Sequence, residues 1–245
     1  MYQAIEKYGA ILPCGGKGER LAEVTESKIP KPLVIVGEKE LIRYSIDLLV
    51  PELVSQLVLA VNHGSDQIRR WAEEVTLPQE IKFSEQDQPG ILAAVSSGFR
   101  LVEEESAVAC NTDEVREGLD LLDIARFHSL HDRPVTMVVA RADHLYRHRV
   151  VEIGANNLIK STRLKPEEYR SKPGATGLVN TGFLIIDKNA QDFFDSSHSI
   201  DWSGIIDPLC DAGKINAYVD ESIQFFNVGT VNEYTETLSF LREQP

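Results

Sequence analysis

The sequence predicts an α/β fold built on a doubly wound, mostly parallel sheet with a small second lobe, and three features carry that expectation. Short apolar or β-branched runs alternate with helical stripes through about residue 141. Two of those runs, Leu57-Val58-Leu59-Ala60-Val61 and Ala107-Val108-Ala109-Cys110, are continuously apolar, as strands covered on both faces are. The run Tyr8-Gly9-Ala10-Ile11-Leu12 ends in a glycine-rich loop, and open sheets of this class bind ligands beyond the carboxyl ends of their strands.

In chain order, the strand at Tyr8–Leu12 is followed by a brief β-branched run, Leu33-Val34-Ile35-Val36. Leu41, Ile42, Tyr44, Ser45, Ile46, Leu48 and Leu49 then form a helical stripe. After the strand at 57–61, Ser65 through Glu74 reads as a helix with Ser65 as its cap. Ile91 to Leu101 reads as a helix entered from Pro89-Gly90. The strand at 107–110 stops at Asn111-Thr112-Asp113, and Val135–Ala140 is the next strand. From about residue 142 the rhythm changes. A hairpin is expected around Gly154-Ala155-Asn156, then a strand at 178–186, a helix at 201–213, a short strand at Phe225–Val228 and a closing helix at 232–242. With no low-complexity linker and no internal repeat, residues 1–245 read as one unit, with halves at about 1–141 and 142–245.

Composition removes several classes of function. The 245 residues are 42% hydrophobic and 26% charged, ordinary for a globular chain. A formal net charge of −13 repels nucleic acid and anionic membranes, so neither is an expected partner. No apolar run approaches the roughly 20 residues that cross a bilayer, and the polar start Met1-Tyr2-Gln3 has no secretory core. A cytoplasmic location is therefore expected. Cys14, Cys110 and Cys210 are scattered, which gives no zinc or redox motif and suits buried, reduced thiols.

Two local patterns point to phosphate chemistry. Leu12-Pro13-Cys14-Gly15-Gly16-Lys17-Gly18-Glu19-Arg20-Leu21 places three glycines and a cation after a strand, which suits close approach of the backbone to a phosphate chain. The spacing fits neither a dinucleotide fingerprint nor a P-loop. Pro30-Lys31-Pro32-Leu33 fixes the backbone around a lysine and so aims its ammonium.

Together, and in this order, the patterns resemble the signature of the sugar-1-phosphate nucleotidyltransferases. The resemblance runs through nearly the whole chain: Glu85–Gly90 is similar to the family's base-recognition stretch, and Asn111-Thr112-Asp113 to its Asn-Gly-Asp metal motif. Lys165-Pro166 resembles its Glu-Lys-Pro, Val179-Asn180-Thr181-Gly182 its Val-Asn-Ala-Gly, and Asn227-Val228-Gly229-Thr230 its Asp-x-Gly-Thr, followed by Glu233-Tyr234. The resemblance implies a nucleotide-binding first half and an acceptor-binding second half. It implies that the amides of Gly15, Gly16 and Gly18 cradle a nucleoside triphosphate, that Arg20 grips its outer phosphates, and that Lys31 serves the α-phosphate. Gln86 and the Gly90 backbone would read the base, Asp113 and Asn227 would hold Mg²⁺, and Lys165, Asn180, Thr181 and Arg149 would meet the sugar 1-phosphate. The implied reaction is in-line attack of the acceptor phosphate on the α-phosphorus with loss of pyrophosphate. An anionic acceptor oxygen requires no general base, and none of the six histidines is assigned a catalytic role.

Four departures from the family pattern bear on this reading. Asn227 stands where a second metal-binding Asp is usual, which means either weaker metal binding there or a silent, nucleotide-sugar-sensing subunit. Leu164 replaces the Glu of Glu-Lys-Pro, and Arg149 replaces a small glycine. Either the acceptor is unusual, such as a heptose or cyclitol phosphate, or loop offsets displace the register. The base is not legible in Gly90-Ile91-Leu92-Ala93. Likeness to short family members that use GTP leans the expectation to guanine, and a homodimer is the prior assembly.

Overall fold

The structure is a computed structural model that describes residues 6–26, 28–86, 88–142, 148–164, 176–195 and 200–243. The strands are β1 (Tyr8–Pro13), β2 (Ile35–Val36), β3 (Lys39–Glu40), β4 (Val54–Val61), β5 (Glu80–Glu85), β6 (Ser106–Cys110) and β7 (Glu114–Glu117). They continue with β8 (Val135–Ala142), β9 (Arg149–Ile153), β10 (Ile159–Leu164), β11 (Gly177–Asp187), β12 (Ile215–Val219) and β13 (Gln224–Asn227). The α-helices are α1 (Ala22–Thr25), α2 (Leu41–Ile46), α3 (Ser65–Glu74), α4 (Ile91–Phe99), α5 (Leu121–Ser129), α6 (Asp192–Asp195), α7 (Ser203–Asp211) and α8 (Val231–Glu243).

Among the described residues a nine-stranded sheet runs β10-β9-β11-β6-β1-β4-β5, with β8 paired to β11 and β12 paired to β8. Its first-half core, β6-β1-β4-β5, is parallel throughout, as crossover helices between successive strands require. β11 runs antiparallel to β6, β8 and β9, so the sheet is mixed where the second half joins it. β11 also changes neighbour along its length: Phe183–Asp187 pair with β6, whereas Val179 pairs with Val150 of β9. Its register against β8 breaks between Asn180 and Leu184. That fork in the sheet is where the 111–113 turn sits.

The alternation of β1 explains the two main layers. Tyr8, Ala10 and Leu12 pack with Ile42 and Ile46 of α2, Ile68 of α3 and Ile124 of α5. Ile11 faces the other way, onto Leu92, Val95 and Phe99 of α4 with Ile205 and Ile206 of α7. A third cluster, Leu21, Val34, Val36, Leu41, Val115 and Val228, joins the segment after the glycine loop to Tyr234 and Leu238 of α8. One expected detail is corrected: Ser65 begins α3 but does not cap it. Gly64 is the capping residue, in a left-handed conformation and without a side-chain cap bond.

Candidate active site

The parallel strands deliver their carboxyl ends to one edge, and a cleft of about 620 Å³ opens there. β1 runs into the glycine loop, β4 into Asn62-His63, β5 into Gln86 and β6 into Asn111-Thr112-Asp113, and all of these line the cleft. The loop lies tight against the sheet at Gly15, where an added Cβ would sit 2.9 Å from both Asn62 Cβ and Gln86 Oε1. At Gly16 it faces open space, with nothing within 4 Å of an added Cβ. Gln86 is anchored by its side-chain amide, which donates to the Ala60 carbonyl at 3.1 Å. Gly90 has φ +112, and a side chain there would strike the Ile200 carbonyl. That carbonyl accepts from the Ile91 amide at 2.9 Å, so Ile200-Asp201 is drawn onto the cleft beside the start of α4.

The Pro30-Lys31-Pro32 turn does aim its lysine. Lys31 Nζ lies 2.6 Å from Asp113 Oδ2, with the Lys31 side chain 12% exposed and that of Asp113 38% exposed. Burial opposes ionisation of Asp113, but the Lys31 ammonium outweighs it, with help from Arg116, and holds the carboxyl below its usual range. Arg20 and Lys31 converge on Gly229: a Cβ built there would lie 3.4 Å from Arg20 Nη2 and 3.8 Å from Lys31 Nζ. The Gly229 amide donates to Glu233 Oε2 at 3.0 Å, and Glu233 N donates to Thr230 Oγ1, an arrangement close to a capping box at the start of α8. Gly15, Gly16, Gly18, Arg20, Lys31, Gln86, Gly90 and Asp113 thus share one cleft.

The remaining candidates lie elsewhere. Asn227 stands on β13 opposite Glu114 and lines a neighbouring cavity of about 480 Å³ with Arg141, His148 and Glu233. The Thr181 side chain is buried and donates to the Val138 carbonyl, so it faces the core rather than a pocket. Asn180 Oδ1 accepts from the Gly182 amide. Arg149 Nη2 donates to both Asp207 carboxylate oxygens, at 2.8 and 3.0 Å, and Nε donates to the Thr162 carbonyl, so its charge is neutralised by an aspartate of α7 instead of adding a cation to the cleft. Lys165 lies outside the described residues. Trp202 is buried and donates to Asn111 Oδ1.

Sequence reasoning missed Glu114 and Arg116, both buried directly behind Asp113. Arg116 Nη2 donates to Glu114 Oε2 at 2.6 Å. Burial pushes the Glu114 carboxyl up to about 7, against the pull of the guanidinium. The available signal was the i, i+2 spacing of opposite charges in a short strand, which puts both on one face.

The chain belongs to the nucleotidyl transferase family, whose profile matches residues 9–244. Mannose-1-phosphate guanylyltransferase catalytic subunit beta of Drosophila melanogaster is 27% identical over 188 residues, 75% of this chain and 49% of that protein. The chain therefore spans about half the length of that relative. D-glycero-alpha-D-manno-heptose 1-phosphate guanylyltransferase of Campylobacter jejuni is 21% identical over 226 residues, 92% of this chain and 96% of that one. Among solved structures, the inositol-1-phosphate CTP transferase of T. maritima shares the fold with a TM-score of 0.79, at 18% identity and 97% coverage of each chain.

Proposed function

We propose that this protein transfers a nucleotidyl group from a nucleoside triphosphate to a sugar 1-phosphate or a similar polyol phosphate, releasing pyrophosphate. The observation that carries the reading is the gathering of the glycine loop, Arg20, Lys31 and Asp113 around a single cleft at the carboxyl edge of the parallel strands. The exposed face of Gly16 offers backbone to a phosphate chain. Arg20 suits the outer phosphates, because its planar fork grips two oxygens. Lys31 sits between Arg20 and Asp113, where it neutralises charge at the α-phosphate and the incoming phosphate. An acceptor oxygen that is already anionic attacks the α-phosphorus as pyrophosphate leaves on the opposite side. Positioning and charge neutralisation then supply the catalysis.

Magnesium fits this donor set in one way. Among the described residues no cluster of three His, Cys, Asp or Glu side chains is placed to hold a metal. Asp113 is a partly exposed carboxylate on the cleft wall, and Mg²⁺ is commonly bound by one or two carboxylates together with substrate phosphates and waters. Asp113 would hold it, and the bound ion would offset phosphate charge. GTP is the favoured donor, supported by the guanylyltransferase names of the mannose and heptose relatives. A heptose or cyclitol phosphate stays within the acceptor class, supported by the names of the heptose relative and of the inositol-1-phosphate CTP transferase.

The test is pyrophosphate release from each of GTP, CTP, UTP, ATP and dTTP with Mg²⁺ and a panel of sugar and cyclitol phosphates. At least one pairing should release pyrophosphate, and Asp113→Ala should abolish it. Nucleotide binding with no pyrophosphate from any pairing would overturn this reading in favour of a sensing subunit.

A further inference from the structure

Arg116 is a fully buried cation, and its bonds do not stay within one element. Nε donates to the Thr181 carbonyl at 2.8 Å, Nη1 to the Asn111 carbonyl at 3.2 Å, and Nη2 to the Gly182 carbonyl at 3.4 Å as well as to Glu114. Glu114 turns its other oxygen to Asn111 Nδ2 at 2.9 Å. Asn111 in turn donates its backbone amide to the Gly182 carbonyl and accepts from Trp202 Nε1 at 3.1 Å. The pair therefore occupies the fork where β11 leaves β9 for β6 and ties three segments together there. One carries Asp113, one is the 180–182 bulge of β11, and the third leads from Ile200-Asp201 on the cleft wall into α7.

Neither Glu114 nor Arg116 lines the cleft. A buried ion pair of this kind is weak support for stability, because apolar residues of similar volume often do as well. Its bonds instead run to the Thr181, Asn111 and Gly182 carbonyls at the fork, and a guanidinium offers five donors in a fixed planar fork where a lysine offers three on one nitrogen. Gly182, at φ +65, leaves no room for a side chain between its own backbone and the Asn111 amide, so the bulge and the turn are held in direct contact.

We propose that Arg116, held by Glu114, is a positioning residue for the transfer: it sets the Asp113 turn against the β11 bulge and the Ile200–Trp202 segment, so that an acceptor phosphate meets the donor in line. This rests on the nucleotidyl-transfer reading above. Among the described residues the pair's hydrogen bonds run to Asn111, Thr181 and Gly182 and none to the glycine loop, so binding of the metal-free triphosphate should not depend on it.

The test uses the full chain with Arg116→Met together with Glu114→Leu, a swap that removes both buried charges, and separately Arg116→Lys. In both variants kcat should fall by roughly 100-fold, as about 1 Å of misplacement costs in such reactions. The acceptor KM should rise, while the triphosphate Kd, read by calorimetry without Mg²⁺, stays within about twofold of wild type. Amide exchange at Asn111 should accelerate relative to that of β1. A folded double variant with kcat within about threefold of wild type, or equal losses in donor Kd and kcat, would overturn the proposal. If the double variant does not fold, Arg116→Lys decides alone: it keeps the charge but lacks the fork, so wild-type kcat in it would also overturn the proposal. If wild-type protein itself turns nothing over, the transfer reading fails separately. Amide exchange at Asn111 in Arg116→Lys then decides whether the pair orders the turn, and unchanged protection would refute it.

Discussion

Gly16→Ala separates what the fold needs from what a ligand needs. An added Cβ at Gly16 meets nothing within 4 Å, and the residue is not among the positive-φ glycines. Folding stability should therefore hold, or rise by roughly 0.4–1 kcal/mol as the unfolded chain loses freedom. If the triphosphate lies on this stretch of backbone, the methyl group enters the space its phosphates occupy. Overpacking of that kind costs about 1–3 kcal/mol, which is about 5- to 150-fold in Kd at 1.4 kcal/mol per tenfold. Gly15→Ala is the contrast, because its Cβ would sit 2.9 Å from two neighbouring side-chain atoms and should lower stability as well as binding. Thermal melts without ligand and calorimetric titration with the preferred triphosphate measure both quantities. A Gly16→Ala protein that melts like wild type and binds triphosphate equally well would refute the placement of the phosphates.

Other perturbations follow from the same geometry. Lys31→Met should lower pyrophosphate release by about 10²–10³-fold, the usual effect of removing one group that stabilises developing charge. Its melting should change little, since a pair whose Asp113 side chain is 38% exposed contributes no more than about 1 kcal/mol; a drop in turnover below tenfold would contradict the role. Gly182→Ala should destabilise the fold by about 1–3 kcal/mol in denaturant melts, because φ +65 and the Asn111 side chain both oppose a Cβ. Burial pushes the Cys14 and Cys210 thiols up to about 12 and raises that of Cys110. Raised values mean little thiolate at about pH 8, so a disulfide reagent should react slowly with native protein and fully once it unfolds. Rapid native labelling at Cys14 would show that the site is open.

The strands that could be read from the sequence were those whose burial is symmetric. β1, β4, β6 and β8 are apolar runs because the sheet covers both of their faces. β5, with the sequence Glu-Ile-Lys-Phe-Ser-Glu, lies at the sheet edge and carries charges that blur its alternation. β7 was hidden because Glu114 and Arg116 are buried against each other, which no single-residue preference reveals. The antiparallel course of β11 depends on partners far away in the chain, and an apolar run does not state its direction. The glycine loop, the Pro-Lys-Pro turn and Asp113 were legible because each imposes a local backbone demand. Thr181 and Arg149 were not, since a break in register and an aspartate on α7 decide where they point.

The stereochemical course at the α-phosphorus tests most directly whether this cleft performs a single displacement by positioning alone. A triphosphate carrying one sulfur of known hand at that phosphorus would be turned over with its preferred acceptor, and the product's configuration read by phosphorus NMR. One in-line attack by the acceptor phosphate requires inversion. Retention would reveal an intermediate bound to a side chain and contradict a single displacement by the acceptor phosphate.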